Sequence, residues 1–90
     1  MFNVLDYYNE VSVERACEVV GCSREVIEQV NKDMRQLGYG DCVRVLMAKE
    51  EYSEEIRNNM VLSEYESGAV YSWYTDEMVT QEDILEEVGI

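Results

Sequence analysis

The sequence predicts a mainly helical domain of 90 residues. Two stretches, 12–20 and 23–37, repeat apolar residues at the three- and four-residue spacing of amphipathic helices. A third stretch, 80–88, begins with a helix-capping pattern and continues with the same spacing. A chain of this size buries only about 60% of its unfolded surface, which limits it to one small core. We therefore expect a single domain over 1–90. Whether it also contains a short two-stranded β ribbon is left open at this point.

The first two helices form a hairpin around a three-residue break, Gly21–Ser23. The apolar face of the first helix consists of Val13, Ala16, Cys17 and Val20. The apolar face of the second consists of Val26, Ile27, Val30, Met34 and Leu37. Gly21 can adopt the left-handed conformation that ends a helix, and the Ser23 hydroxyl can accept an N–H at the start of the next. Each apolar face is then the nearest partner of the other.

The segment 12–38 resembles a helix-turn-helix unit, with a small alanine in the first helix, Gly21 in the turn and an aliphatic pair after Ser23. The resemblance covers about a third of the chain. It implies DNA binding, with the second helix in the major groove. The side chains that would then contact DNA are those of Ser23, Arg24, Gln29 and Lys32.

The charges of the second helix do not favour this role. Its three basic residues are offset one for one by Glu25, Glu28 and Asp33, so the helix has no net attraction for phosphate. Seven basic residues in the whole chain barely suffice for a DNA-binding surface.

The remaining segments are less regular. Residues 1–10 are rich in apolar side chains and are interpreted as a packing helix across the hairpin. A turn at 38–41 precedes 42–52, where we favour a helix capped by Asp41, although the β-branched residues of 42–47 keep a strand open.

Another helix is expected to start at Ser53, followed by a loop at 64–68 and a last helix that ends at Gly89. The best strand candidate is 69–75, which has aromatic residues on both faces. If 42–47 is also extended, the two would pair as the ribbon of a winged helix-turn-helix; otherwise 69–75 is an extended arm or leads into a helix.

The composition argues against an enzyme. The chain has no histidine, no glycine-rich phosphate loop and no alternating Asp pattern of a calcium loop, so we expect no catalytic residue, no cofactor and no metal. Its three cysteines, Cys17, Cys22 and Cys42, lack the spacing of a zinc or redox motif. They are interpreted as reduced, small hydrophobic packing residues.

Charge is the most unusual property of the sequence, which carries seven basic and twenty acidic residues for a net charge of −13. Residues 1–45 contain eight acids and five bases, whereas 46–90 contain twelve acids and two bases, a balance of −10. Such a cluster repels nucleic acid over distances near the Debye length of about 8 Å. Without a membrane-spanning run or a signal peptide, the expected location is the cytosol, that of a host cell if the protein is viral.

Carboxylates on helices and loops can imitate the phosphates of a duplex, which predicts binding to a basic nucleic-acid-binding protein rather than to nucleic acid. Exposed aromatic residues, Tyr65 among them, would anchor the contact. The predicted partner-binding residues are Glu50, Glu51, Glu54, Glu55, Glu64, Glu66, Tyr71, Trp73, Tyr74, Asp76, Glu77, Glu82, Asp83, Glu86 and Glu87.

In size, acidity and lack of catalytic motifs, the chain resembles small phage inhibitors of host defence, including anti-CRISPR and anti-restriction proteins. This resemblance implies a non-enzymatic inhibitor of a host defence effector. The alternatives are a helix-turn-helix transcription regulator, a structural or adaptor protein that binds through its aromatic residues, and an acidic surface that serves only to keep the protein in solution. Homodimer formation stays open in each case.

Overall fold

A five-stranded antiparallel sheet organises the structure, a computed structural model that describes residues 2–89. The strands follow one another across the sheet in chain order. The elements are β1 (Tyr8–Val11), α1 (Val13–Val20), α2 (Arg24–Gln36), β2 (Cys42–Ala48), β3 (Val61–Tyr65), β4 (Val70–Ser72), β5 (Met78–Val79) and α3 (Gln81–Val88). Short 3-10 turns occur at Val4–Asp6, Glu50–Tyr52 and Arg57–Asn59. The fold is therefore α+β, and the prediction of a mainly helical domain is wrong.

The largest difference from the predicted fold is at 42–52, for which the sequence favours a helix. Residues 42–48 form β2, which pairs with β1 on one side and with β3 on the other. Three of its side chains are buried: Val45 on one face of the sheet, and Leu46 and Ala48 in the core cluster of the other face. A strand buried on both faces is a continuous apolar run, which periodicity alone does not distinguish from a helix.

The other irregular segments also differ from the prediction. The expected helix at 1–10 is a 3-10 turn followed by β1, with Met1 outside the described residues. The expected helix after Ser53 is replaced by turns and the 3-10 turn at Arg57–Asn59. Within 69–75, residues 70–72 are a strand as predicted, but they pair with β3 and β5 and not with 42–47. The proposed winged ribbon is therefore wrong.

Helices cover both faces of the sheet. On the face that we name the α1–α2 face, Ala16 and Ile27 pack against Val45, Val61 and Trp73. On the opposite face, named the α3 face, Ile84 of α3 and Ile56 of the preceding loop pack with side chains of the sheet. The sheet side chains buried there are Tyr8, Leu46, Ala48, Leu62 and Val79.

Helices α1 and α2 lie where the sequence predicted them. Gly21 ends α1 in the left-handed conformation with φ 80°, and its N–H donates to the Cys17 carbonyl at 2.7 Å. Ser23 stands at the N-cap of α2 but makes no side-chain capping hydrogen bond. The pair forms one layer over a sheet in which α1 contacts β2. The helix-turn-helix interpretation of 12–38 is therefore wrong.

The side chains proposed to contact DNA are also engaged within the chain or dispersed. The Arg24 guanidinium is paired with Glu14 and, at 3.5 Å, with Glu28. The Gln29 amide donates to the Asp33 carboxylate at 2.9 Å, and Lys32 is exposed. These contacts leave no cluster of positive charge along α2.

Three long-range side-chain hydrogen bonds, two buried and one half-buried, stabilise the interior. The indole N–H of Trp73 donates to the Ser63 hydroxyl at 2.6 Å, and the Tyr65 hydroxyl donates to Oδ1 of Asn31 on α2 at 2.8 Å. The Tyr8 hydroxyl donates to the carbonyl of Asn59 at 2.5 Å. Burial is the main reason that the pKa of Tyr65 rises to about 12. Each bond satisfies a polar group inside the core.

The Trp73 hydrogen bond gives a test of this packing. Trp73→Phe should lower the free energy of unfolding by about 2 kcal/mol, because the Ser63 hydroxyl loses its donor and the ring volume falls. Tyr74→Phe, at an exposed position next to it, should change the free energy of unfolding by less than about 0.5 kcal/mol. Urea denaturation of both variants measures the difference, and equal effects would contradict the buried position of Trp73.

Candidate functional site

Ten of the twelve predicted acidic residues are exposed. They lie in the segment 50–55, in the β3–β4 and β4–β5 turns, and on α3. They are Glu50, Glu51, Glu54, Glu55, Glu66, Asp76, Glu77, Glu82, Asp83 and Glu86. We name these ten residues the acidic set. The other two predicted acids, Glu64 and Glu87, are half-buried.

Ion pairs in residues 2–89 do not involve the acidic set. Four of the five pairs lie on α1, on α2 or at the turn after α2, including Arg15 with Glu18 at 3.4 Å and Arg35 with Asp41 at 3.3 Å. The fifth joins Arg44 to Glu64 across β2 and β3 at 3.2 Å. The charges of the α1–α2 layer therefore compensate one another, whereas those of the acidic set stay uncompensated by any such pair.

Four of the predicted acids line one groove, which we name the acidic groove. Its walls are the β4–β5 turn with Glu77, the outer side of α3 with Asp83, Glu86 and Glu87, and the loop at 58–59, and its volume is about 440 Å³. The groove lies at the end of the sheet where β5 leads into α3. It brings four of the twelve predicted acids together around one cavity.

The remaining acids are placed elsewhere. Glu50 and Glu51 line a shallow depression with Asn9 and Lys49. Glu66 accepts the Asp41 N–H at 3.1 Å. The predicted acids therefore form one groove and several separate sites.

Asp76 also lies outside the groove. It accepts a hydrogen bond from the Tyr71 hydroxyl at 2.9 Å and has a left-handed backbone with φ 56°. Burial, then this hydrogen bond and the Asp76 charge, raise the pKa of Tyr71. Asp76 is therefore engaged by the hairpin, although its side chain stays exposed.

Local sequence holds α3 beside the groove. The Thr80 hydroxyl accepts the Asp83 N–H at 3.2 Å, and the Asp83 carboxylate accepts the Thr80 N–H at 3.0 Å, which completes the capping box that the sequence predicted. Ile84 is buried in the core of the α3 face, and Gly89 ends the helix with φ 82°. With Ile84 buried, Glu82 and Glu86 remain exposed.

Glu87 is the groove residue in the least favourable electrostatic position. Its Oε2 atom is buried and has no hydrogen-bond partner among residues 2–89. Burial raises the pKa of this carboxyl, the nearby Asn59 side chain lowers it, and the charges of Asp83 and Glu86 raise it.

The predicted aromatic anchors are mostly internal. Trp73 is 5% exposed and Tyr65 is 1% exposed, so the expectation that both lie on the surface is wrong. Trp73 packs in the core of the α1–α2 face and donates a hydrogen bond to Ser63, and Tyr65 donates one to Asn31 of α2. Tyr71 is half-buried, and Tyr74 alone of these four is exposed, at 42%.

The sequence interpretation missed five residues of the groove, among them the amides Asn58 and Asn59. Asn59 is buried, and its carbonyl accepts the Tyr8 hydroxyl. The only signal in the sequence was a polar pair inside an apolar stretch, which does not reveal its neighbours in space. Their amides give the groove hydrogen-bonding groups beside its carboxylates.

The described chain, 2–89, contains no group of three or more Cys, Asp or Glu side chains arranged to hold a metal ion. None of its helices is long and apolar enough to cross a membrane.

No protein-family model matches the chain, and no curated protein or solved structure is significantly similar to it. The expected resemblances to helix-turn-helix units and to phage anti-defence proteins therefore have no family evidence behind them. The α+β fold, with its five-stranded sheet, overturns them.

The position of Glu87 predicts a pH dependence of stability. Because its pKa is raised in the folded state, its contribution to stability is complete below the ordinary glutamate pKa of about 4.3 and is lost as the pH rises through the folded value. Glu87→Gln should therefore raise the free energy of unfolding at pH 7, and this gain should vanish near pH 4.

Glu82→Gln is the matched control, since Glu82 is an exposed residue of the same helix. It removes the same charge without removing a buried carboxylate. Urea denaturation between pH 4 and pH 8 compares the two variants. Superimposable pH profiles would show that burial of Glu87 has no effect on stability.

Proposed function

We propose that the protein is a non-enzymatic inhibitor that binds a basic nucleic-acid-binding protein and occupies the surface on which that protein holds nucleic acid. The observation that carries this proposal is the acidic set, ten exposed carboxylates with no ion pair among residues 2–89. The net charge of −13 gives the whole chain the sign of a nucleic acid.

The distribution of charge supports one face of the molecule as the binding surface for a basic partner. Arg15 and Arg24 in the α1–α2 layer are paired with acids of the same layer. Residues 46–90 contain only two bases, Lys49 and Arg57, against twelve acids. A positively charged partner is therefore attracted most strongly to the surface formed by 50–55 and by α3 with the β4–β5 turn.

The acidic groove supports a contact between its carboxylates and arginine side chains of the partner. Carboxylates bind arginine guanidinium groups through paired, charge-assisted hydrogen bonds, which are stronger than bonds between neutral groups. An arginine side chain in the groove would meet the carboxylates of Glu77, Asp83 and Glu86. Arginine residues that hold phosphates in the partner are groups of this kind, so the inhibitor and the nucleic acid would compete for them.

The rival interpretations have less support. An adaptor that binds through aromatic residues would have Tyr74 as its exposed anchor, since Trp73 and Tyr65 are buried. An acidic surface that only prevents aggregation requires no groove and no residue with the unsatisfied carboxylate of Glu87. Competition with duplex DNA for the same partner separates inhibition from both.

A charge-reversal pair tests which face binds. Glu82→Lys with Glu86→Lys, on the outer side of α3, should weaken binding of a nona-arginine peptide at low salt by about tenfold, because two attractive charges become repulsive. Glu18→Lys with Glu25→Lys, exposed on α1 and α2, makes the same change in net charge and should weaken binding less than about threefold. Fluorescence anisotropy of a labelled peptide measures both, and equal losses would contradict a preferred face.

Competition tests the inhibitor function itself. Immobilised protein should retain proteins from a nuclease-treated cell lysate that are released by added duplex DNA, because the two ligands would share one surface. The Glu82→Lys, Glu86→Lys variant should retain them poorly, and the protein alone should not shift duplex DNA in a gel at low salt. Retained proteins that resist release by duplex DNA would contradict the proposed function.

A further inference from the structure

Another cavity, which we name the β3–β5 cavity, opens on the α3 face of the sheet. Its floor is a row of side chains across three strands, because Glu64 of β3 lies opposite Val70 of β4, and Val70 lies opposite Val79 of β5. Val79 belongs to the core cluster of the α3 face, Val70 packs against that cluster, and Glu64, opposite Val70, lies on the same face. The volume of the cavity is about 580 Å³, within the range of roughly 300–1,000 Å³ typical of small-molecule sites.

The walls of the β3–β5 cavity combine apolar surface with uncharged polar groups. Phe2 and Val4, from the segment before β1, form one side, and Ile84 of α3 forms another. The uncharged polar side chains that line the cavity are those of Asn3, Tyr39, Thr80 and Gln81. An apolar enclosure with a few polar groups at its edge is the usual composition of a site for a small organic molecule.

Glu64 is the one charged residue among the described residues that line this cavity. Its carboxylate is paired with Arg44 at 3.2 Å, and 23% of the Glu64 side chain remains exposed. Arg44 lies opposite Glu64 on β2, on the other side of Glu64 from Val70, and it does not line the cavity. The cavity therefore contacts an acidic side chain whose basic partner lies behind it.

The surrounding charge decides which sign of ligand the β3–β5 cavity favours. Glu82 and Asp83 are exposed in the first turn of α3, directly after Gln81, which lines the cavity. Together with the net charge of −13, they repel an anion and attract a cation. Among organic cations, a planar amidinium or guanidinium group has the geometry that best matches a carboxylate.

We propose that the β3–β5 cavity binds a small organic cation that has a flat apolar body and an amidinium or guanidinium group. The apolar body packs on Val70 and Val79, next to Phe2, and the cationic group lies beside Glu64. Such a ligand matches both the apolar floor and the single charge of the cavity. An inorganic cation has no apolar surface to remove from water and therefore matches only the charge.

The β3–β5 cavity is distinct from the acidic groove. The two share Met78 and Val79, but none of the four acids of the groove lines the β3–β5 cavity. A small cation bound at Glu64 leaves those four carboxylates free. The inference therefore goes beyond the inhibitor function, and either one can fail while the other holds.

Benzamidine, a benzene ring with one amidinium group, is the probe for this site. It would be titrated into the isotope-labelled full chain while the amide chemical shifts are followed, and we expect the shifts in 2–4, 64 and 68–70. Benzamide has nearly the same shape without the charge, and guanidinium chloride has the charge without the ring. Each should bind about tenfold more weakly than benzamidine, because each lacks one of the two interactions.

These comparisons use the unaltered protein, so they do not depend on whether a variant folds. Binding of benzamide or of guanidinium as tight as that of benzamidine would overturn the proposal. Shifts centred on the acidic groove, at 58–59 and 76–77, would overturn it as well.

Two variants test the residues assigned to the site. Glu64→Gln should weaken benzamidine binding about tenfold, because the carboxylate that pairs with the amidinium is lost. Ala69→Leu, at a half-buried position that lines the cavity, should weaken it by a similar factor by filling the space.

Glu18→Gln is the matched control for Glu64→Gln. It also removes a carboxylate paired with an arginine, Arg15, but on the exposed surface of α1. It should change the affinity for benzamidine less than about twofold. Equal losses of affinity in Glu64→Gln and Glu18→Gln would contradict the assignment of Glu64.

Discussion

The pairing of β2 with β3 is the contact on which the rest of the structure depends. In this pair Val45 and Val61 face α1 and α2, while Leu46 and Leu62 face α3, and all four are buried. Burial of each such side chain is worth roughly 1.5–3 kcal/mol, so both faces need a cover. The chain provides one with α1 and α2 and the other with α3 and the loops around it. A fold with a single helical layer would leave half of these side chains in water.

The two layers that cover the sheet differ in charge, so the molecule has two electrostatically different sides. In the α1–α2 layer, Arg15 and Arg24 are paired with acids of the same layer. The acids of α3, of the β4–β5 turn and of 50–55 have no ion pair among residues 2–89, and all of them apart from Glu87 are exposed. The sheet separates a layer of compensated charge from one of uncompensated charge, which is how a chain of net charge −13 can fold and still present a strongly negative face.

Local signals predicted the helices, and non-local contacts decided the rest. Helix ends depend on contacts within a few residues, so the sequence predicted them. Examples are Gly21, the Thr80–Asp83 capping pair and Gly89. The strand at 42–48 depends on partners at both sides, and its helix-forming residues suggested a different structure. The number of acids was evident from composition. Their grouping was not, because Glu77 meets α3 only after the β4–β5 turn has formed.

We propose that the acids without ion pairs on the α3 side form the surface that binds a basic partner. Amide chemical-shift mapping would locate this surface directly. Nona-arginine would be titrated into isotope-labelled protein, and the shifts of every amide followed at low salt. We expect shifts concentrated in 76–88 and 50–55, decreasing as salt is added, with α1 and α2 unaffected. Shifts distributed evenly over the molecule, or concentrated on α1 and α2, would contradict it.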